Sequence, residues 1–114
     1  MELLEQKDGE VVVLALRGRL DGATSDSLLE RFFTLIGEGE RQFVVDGSDL
    51  AYVSSSGLRV LLLAAKQLAQ VSGRLALCSL NEQIRKVFDL TGLTSVFDIC
   101  GSRIDAIEKL RDGK

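Results

Sequence analysis

Three hydroxyls stand in a row at Ser54-Ser55-Ser56, followed by Gly57 and then the run Leu58-Arg59-Val60-Leu61-Leu62-Leu63-Ala64-Ala65. A serine at the mouth of such a segment has two uses. It can cap the coming helix by accepting a backbone N–H, or it can take up a phosphoryl group where solvent reaches it. A phosphate on Ser55 would sit at a helix N-terminus, where unpaired N–H groups and the macrodipole favour an anion by about 0.3–1 kcal/mol. The fold would tolerate it, while the surface gained about 1.5–2 negative charges. Against an acidic partner surface, or one holding nucleotide phosphates, that charge opposes binding. From residue types alone both uses stay open, with Ser54 as the N-cap and Ser55 as the modified hydroxyl.

Other chemistry is scarce. The chain has no histidine, so a Ser-His-Asp triad, a Cys-His pair and any histidine-containing metal site are excluded. Neither GxxxxGK[ST] nor a strand-linked GxGxxG occurs. Gly37-Glu38-Gly39-Glu40 carries two glutamates that would repel phosphate, and it reads as a helix stop. Asp46-Gly47-Ser48-Asp49 lacks the spacing of a calcium loop and reads as a turn. Lys66 lies about three helical turns beyond the serines, too far for a Ser-Lys dyad. The expectation is a protein without catalysis of its own, without cofactor and without metal.

The 114 residues suit one domain, taken as 1–114, and 46% apolar with 27% charged residues is a globular balance. A formal charge of −3 gives no basic field for nucleic acid or an anionic membrane. The longest apolar runs, such as Val60 to Ala65, fall far short of a membrane span. The N-terminal MELLEQKDGE lacks the pattern of a signal peptide, which points to the cytoplasm. Cys78 and Cys100, far apart in sequence, read as buried reduced thiols.

The elements that must position the serines follow from periodicity. Residues 2–7 and 10–17 flank Asp8-Gly9, a hairpin signal. A helix follows, with Leu28, Phe32, Leu35 and Ile36 at helical spacing, capped by Thr24 or Ser25 and ended by Gly37 and Gly39. Residues 41–46 form a strand before a turn at 47–49. The serine-led helix runs to about Val71. Then come a strand at 74–79, a helix capped by Asn81, a strand at 96–99 and a helix at 102–111 with Ile104, Ile107 and Leu110 inward. The order β-β-α-β-α-β-α-β-α implies an α/β fold: a mainly parallel mixed sheet of about five strands, an antiparallel edge hairpin and about four helices.

Wound at 100° per residue, the serine-led helix gathers Leu58, Leu61, Leu62, Ala65, Leu68 and Ala69 on a core face. Val60 and Leu63 fall roughly opposite, in line with Ser56 and Gln67. Two covers fit this apolar interruption: a neighbouring helix of the same chain, or another protein docked beside the serines.

Four segments in order carry a resemblance: Gly18-Arg19-Leu20-Asp21; Asp49-Leu50-Ala51-Tyr52-Val53-Ser54-Ser55-Ser56-Gly57-Leu58; Gly73-Arg74-Leu75-Ala76-Leu77; and Val87-Phe88-Asp89-Leu90-Thr91-Gly92-Leu93. Over nearly its whole length the chain resembles the STAS-domain anti-sigma factor antagonists of bacteria. That family's motif reads Asp-Ser-[Ser/Thr]-Gly-Leu, and the serine after the aspartate is phosphorylated. The resemblance therefore implies Ser55 as phosphoacceptor, with Ser54 in place of the family aspartate. It implies partner contact by Asp21, Ser54, Ser56 and Gly57, to which the helix pattern adds Val60 and Leu63.

The implied partners are an anti-sigma factor that is also a serine kinase of histidine-kinase-like ATPase fold, and a metal-dependent serine phosphatase. Unphosphorylated antagonist would bind the kinase and release the protein it sequesters; phosphorylation would loosen the complex. A second reading is a STAS subunit of a transporter-associated or stress-signalling assembly.

Overall fold

A computed structural model describes residues 1–112. Its elements are β1 (Glu2–Asp8), β2 (Val11–Leu20), α1 (Gly22–Gly37), β3 (Gln42–Val53), α2 (Ser55–Gln70), β4 (Arg74–Cys78), α3 (Glu82–Leu90), a 3₁₀ turn (Leu93–Ser95), β5 (Asp98–Cys100) and α4 (Arg103–Asp112). The sheet is ordered β1-β2-β3-β4-β5; β1 pairs antiparallel with β2 and every other pair is parallel.

Each of the crossovers β2-α1-β3, β3-α2-β4 and β4-α3-β5 steps in one direction along this order. Right-handed connections then lay α1, α2 and α3 on one face. That face holds the larger core, in which Leu14, Leu16, Phe43, Val45 and Leu77 of the strands meet Leu28 and Phe32 of α1, Leu61, Ala64 and Leu68 of α2, and Ile84 and Phe88 of α3. The opposite face is covered by α4, whose Ala106, Ile107 and Leu110 pack on Val11, Val13, Val44, Ala76 and Cys78. Strands buried on both faces need apolar residues without alternation, which accounts for the continuous run Val11-Val12-Val13-Leu14.

Several sequence expectations shift. The hairpin turn is Gly9-Glu10, because Asp8 already pairs with Val11; Gly9 takes φ +63. α1 is capped by Asp21 rather than Thr24 or Ser25: the Asp21 side chain accepts the Ala23 N–H, and Thr24 reciprocates at the third helical position. The expected turn at 47–49 is strand. A Cβ on Gly47 would stand 2.8 Å from Leu80 Cδ2, so this glycine serves a close approach, not a reversal. Val96 is 55% exposed and precedes the last strand instead of opening it. In α4, Ala106 takes the inward place expected for Ile104, which is 68% exposed.

Candidate functional site

The length of β3 positions the site. Its pairing with β4 ends at Asp46↔Cys78, whereas its pairing with β2 continues to Leu20↔Val53. The second half of β3 thus overhangs the sheet beside β2 alone. Both strands end on one rung, and each next residue caps a helix: Asp21 caps α1 and Ser54 caps α2. The register of a parallel pair therefore brings together two caps 33 residues apart in sequence. The Ser54 N–H donates to the Leu20 carbonyl at 2.8 Å, fastening one loop to the other.

The three serines have different surroundings. Ser54 Oγ accepts the Gly57 N–H at 3.1 Å, the capping role open to it in the sequence. Ser56 is exposed and faces the other loop: a Cβ on Gly22 would lie 4.0 Å from its Oγ. Ser55 is exposed at the first position of α2. Among the described residues neither the Ser55 nor the Ser56 hydroxyl enters a hydrogen bond. Gly57 is buried, so the partner contact expected of it is corrected to a packing role: a Cβ there would meet Leu20 Cγ at 2.8 Å, the Leu20 carbonyl oxygen at 2.9 Å and Val53 Cγ1 at 3.0 Å.

Asp21 keeps a half-exposed carboxylate at the head of α1, 3.8 Å from Arg19 Nε. Arg19 lies over the Tyr52 ring, its Cζ 4.1 Å from the centroid, as their register pairing across β2 and β3 dictates. Arg19 and Tyr52 were not singled out in the sequence, although Tyr52 is the sole tyrosine and directly precedes the serine loop. Beyond Tyr52 lies an apolar groove of about 240 Å³, lined by Ala51, Tyr52, Val53, Gln83, Ile84 and Val87. Asn81 holds α3 beside it by donating from Nδ2 to the Leu50 carbonyl at 3.2 Å while its Oδ1 caps the helix.

Val60 does not belong to this surface. It is 4% exposed and part of the main core, so the expectation that it forms a docking ridge is corrected. The buried face of α2 is Gly57, Val60, Leu61, Ala64 and Leu68. This stripe is rotated toward α1, against which α2 packs along its flank as well as on the sheet. Ala69, placed on the core face by the helical wheel, is exposed, and Leu63 is half-buried. Leu63 alone of the two remains at the surface with the serines.

Among the described residues no cluster of His, Cys, Asp or Glu is arranged to hold a metal ion, and no helix is long and apolar enough to cross a membrane. Cys78 and Cys100 are both free thiols, Cys78 buried and Cys100 half-buried.

Comparison with known proteins gives a consistent picture. The STAS domain family matches residues 3–106. BtrV of Bordetella bronchiseptica, which carries the name of an anti-sigma factor antagonist, is 40% identical over 103 residues, covering 90% of this chain and 89% of its own. A Thermotoga maritima crystal structure, likewise described as that of an anti-sigma factor antagonist, superposes with a TM-score of 0.92 over 96% of this chain and 94% of its own at 24% identity, a likeness of fold. The Bacillus cell fate determinant SpoIIAA, solved in its phosphorylated form, aligns with a TM-score of 0.78 and 26% identity, covering 96% of this chain and all of that one.

Proposed function

The chain belongs to the STAS domain family, and on that premise we propose that it is an anti-sigma factor antagonist, a binding protein rather than an enzyme, that switches partners through Ser55. With Ser55 free, the surface formed by Asp21, Ser54, Ser56 and Leu63 binds an anti-sigma factor that is also a serine kinase, and this displaces the protein the kinase had held. The kinase then transfers the terminal phosphoryl group of ATP to Ser55 Oγ. The bond from that phosphorus to the β-phosphate oxygen breaks, ADP leaves and the hydroxyl proton is released. A metal-dependent serine phosphatase restores the free hydroxyl.

One observation carries this reading: Ser55 is an exposed hydroxyl at the first position of α2 with no hydrogen bond among the described residues, while its neighbour Ser54 already caps the helix. A phosphate there meets the positive end of α2 and leaves the fold intact, yet it places about two negative charges in the contact surface. Each 1.4 kcal/mol of lost binding is tenfold in affinity, so moderate repulsion suffices for a switch. The names of the relatives and the phosphorylated state of SpoIIAA support the same reading.

The test is incubation with ATP and an anti-sigma factor kinase encoded beside this chain, followed by mass spectrometry. One phosphate on Ser55 is expected, with Ser55→Ala binding the kinase persistently and Ser55→Asp weakly. A phosphate on Ser54 or Ser56 alone, or equal affinities for the two variants, would overturn the assignment.

A further inference from the structure

Arg59 is exposed on α2 one turn beyond Ser55. A cation in the first turns of a helix lies near the positive end of the macrodipole, where charge of its sign is disfavoured. A nearby carboxylate would offset this, yet no ion pair holds Arg59 among the described residues. The other cation close to the serine loop, Arg19, is already stacked on Tyr52 and drawn toward Asp21. Among the described residues Arg59 is therefore an uncommitted guanidinium beside the serines.

The spacing supplies its use. Positions i and i+4 of a helix are surface neighbours, about 5–6 Å apart at Cβ. An acidic group at i with a basic one at i+4 is the favourable order of the two. Ser55 and Arg59 hold these places, both exposed. A hydroxyl at Ser55 offers Arg59 nothing to offset its charge, whereas a phosphate there offers three acceptor oxygens within reach of a planar guanidinium.

We propose that Arg59 is the internal receptor of the Ser55 phosphate. Modification closes an i, i+4 phosphate–guanidinium pair on the outer side of α2. The phosphate then acts twice on a partner, by adding negative charge to the surface and by withdrawing the one free cation beside it among the described residues. This inference rests on the reading of Ser55 as the modified residue.

The experiment separates the two. Phosphoserine is incorporated at position 55 during translation, without any kinase, in the full chain and in its Arg59→Gln variant. The second ionisation of the phosphate is followed by ³¹P NMR against pH. The guanidinium favours the dianion, so the phosphate should lose its last proton at a pH lower by about 0.3 or more in the arginine protein than in the glutamine variant. Added salt should narrow the gap. Coincident titration curves would overturn the pairing. Failure of a kinase to modify Ser55 would instead remove the modification reading and leave this titration as it stands.

Discussion

Gly57 and Leu20 approach so closely that a methyl group on Gly57 would stand 2.8 Å from Leu20 Cγ and 2.9 Å from the Leu20 carbonyl oxygen. The same carbonyl receives the Ser54 N–H, so the glycine lets the first turn of α2 settle against the end of β2. A larger residue must push the serine loop off that strand. Gly57→Ala should therefore destabilise the protein by about 1–3 kcal/mol, as overpacked sites do, despite the better helix propensity of alanine. Thermal unfolding measures the loss. An unchanged or raised Tm would mean that the loop yields freely and that its position is not fixed by this contact.

Val60 and Leu63 should now part company. Val60→Asp places a charge in the core between α2, α1 and the sheet, with no partner to receive it, and should cost about 3 kcal/mol or more. Leu63→Asp changes a half-buried side chain outside the main core and should leave Tm nearly in place while weakening anti-sigma factor binding. Denaturant melts paired with a binding titration distinguish the two effects. Comparable loss of stability in both variants would remove Leu63 from the contact surface.

The helix wheel misplaced Val60 for an identifiable reason. It assumes one buried stripe, whereas α2 is covered by the sheet below and by α1 along its flank, so its apolar arc is wider and rotated. Composition misled in the same way at Gly47-Ser48-Asp49. These are turn residues, yet they continue β3, and the overhang they build is what lifts the serines to the edge. The alternation of strands and helices was legible because buried β-branched runs and capped amphipathic segments are local signals. The meeting of Asp21 with Ser54 depends on the Leu20↔Val53 rung, and registration between strands is not written in either segment alone. Only the family resemblance sets Asp21 near the serines from sequence.

Asp46 is nearly fully buried, and Arg103 Nε at the start of α4 donates to its Oδ2 at 2.8 Å. Burial by itself would raise this carboxyl, but the Ser48 N–H and the Arg103 guanidinium outweigh it and hold the group below the usual aspartate range. A carboxylate depressed in the folded state contributes stability that is fully present above its unfolded value near 3.9. That contribution is lost as pH falls through the lower folded value. Stability should thus drop below about pH 4, and Asp46→Asn should flatten the drop while costing about 1–3 kcal/mol at neutral pH. Parallel acid melts of the two proteins provide the check; identical slopes below pH 4 would contradict the ion pair.

Cys78 and Cys100 are register neighbours on β4 and β5, yet the structure holds both as free thiols. Burial, reinforced by the Asp46 carboxylate, pushes the Cys78 thiol up to about 11, and burial raises Cys100 as well. Thiolate is the reactive form, so both should react slowly with a disulfide reagent at pH 8. The more exposed Cys100 should lead, and the two should react together once the chain is denatured. The sign for stability is opposite to that of Asp46. The folded Cys78 keeps its proton while an unfolded cysteine releases it near 8.5. Its contribution is intact below that pH and disappears as pH rises toward 11. Timed thiol titration without reductant, native and then denatured, tests the assignment. Two thiols should appear on denaturation, and a protein that yields none would hold a disulfide between these strands instead.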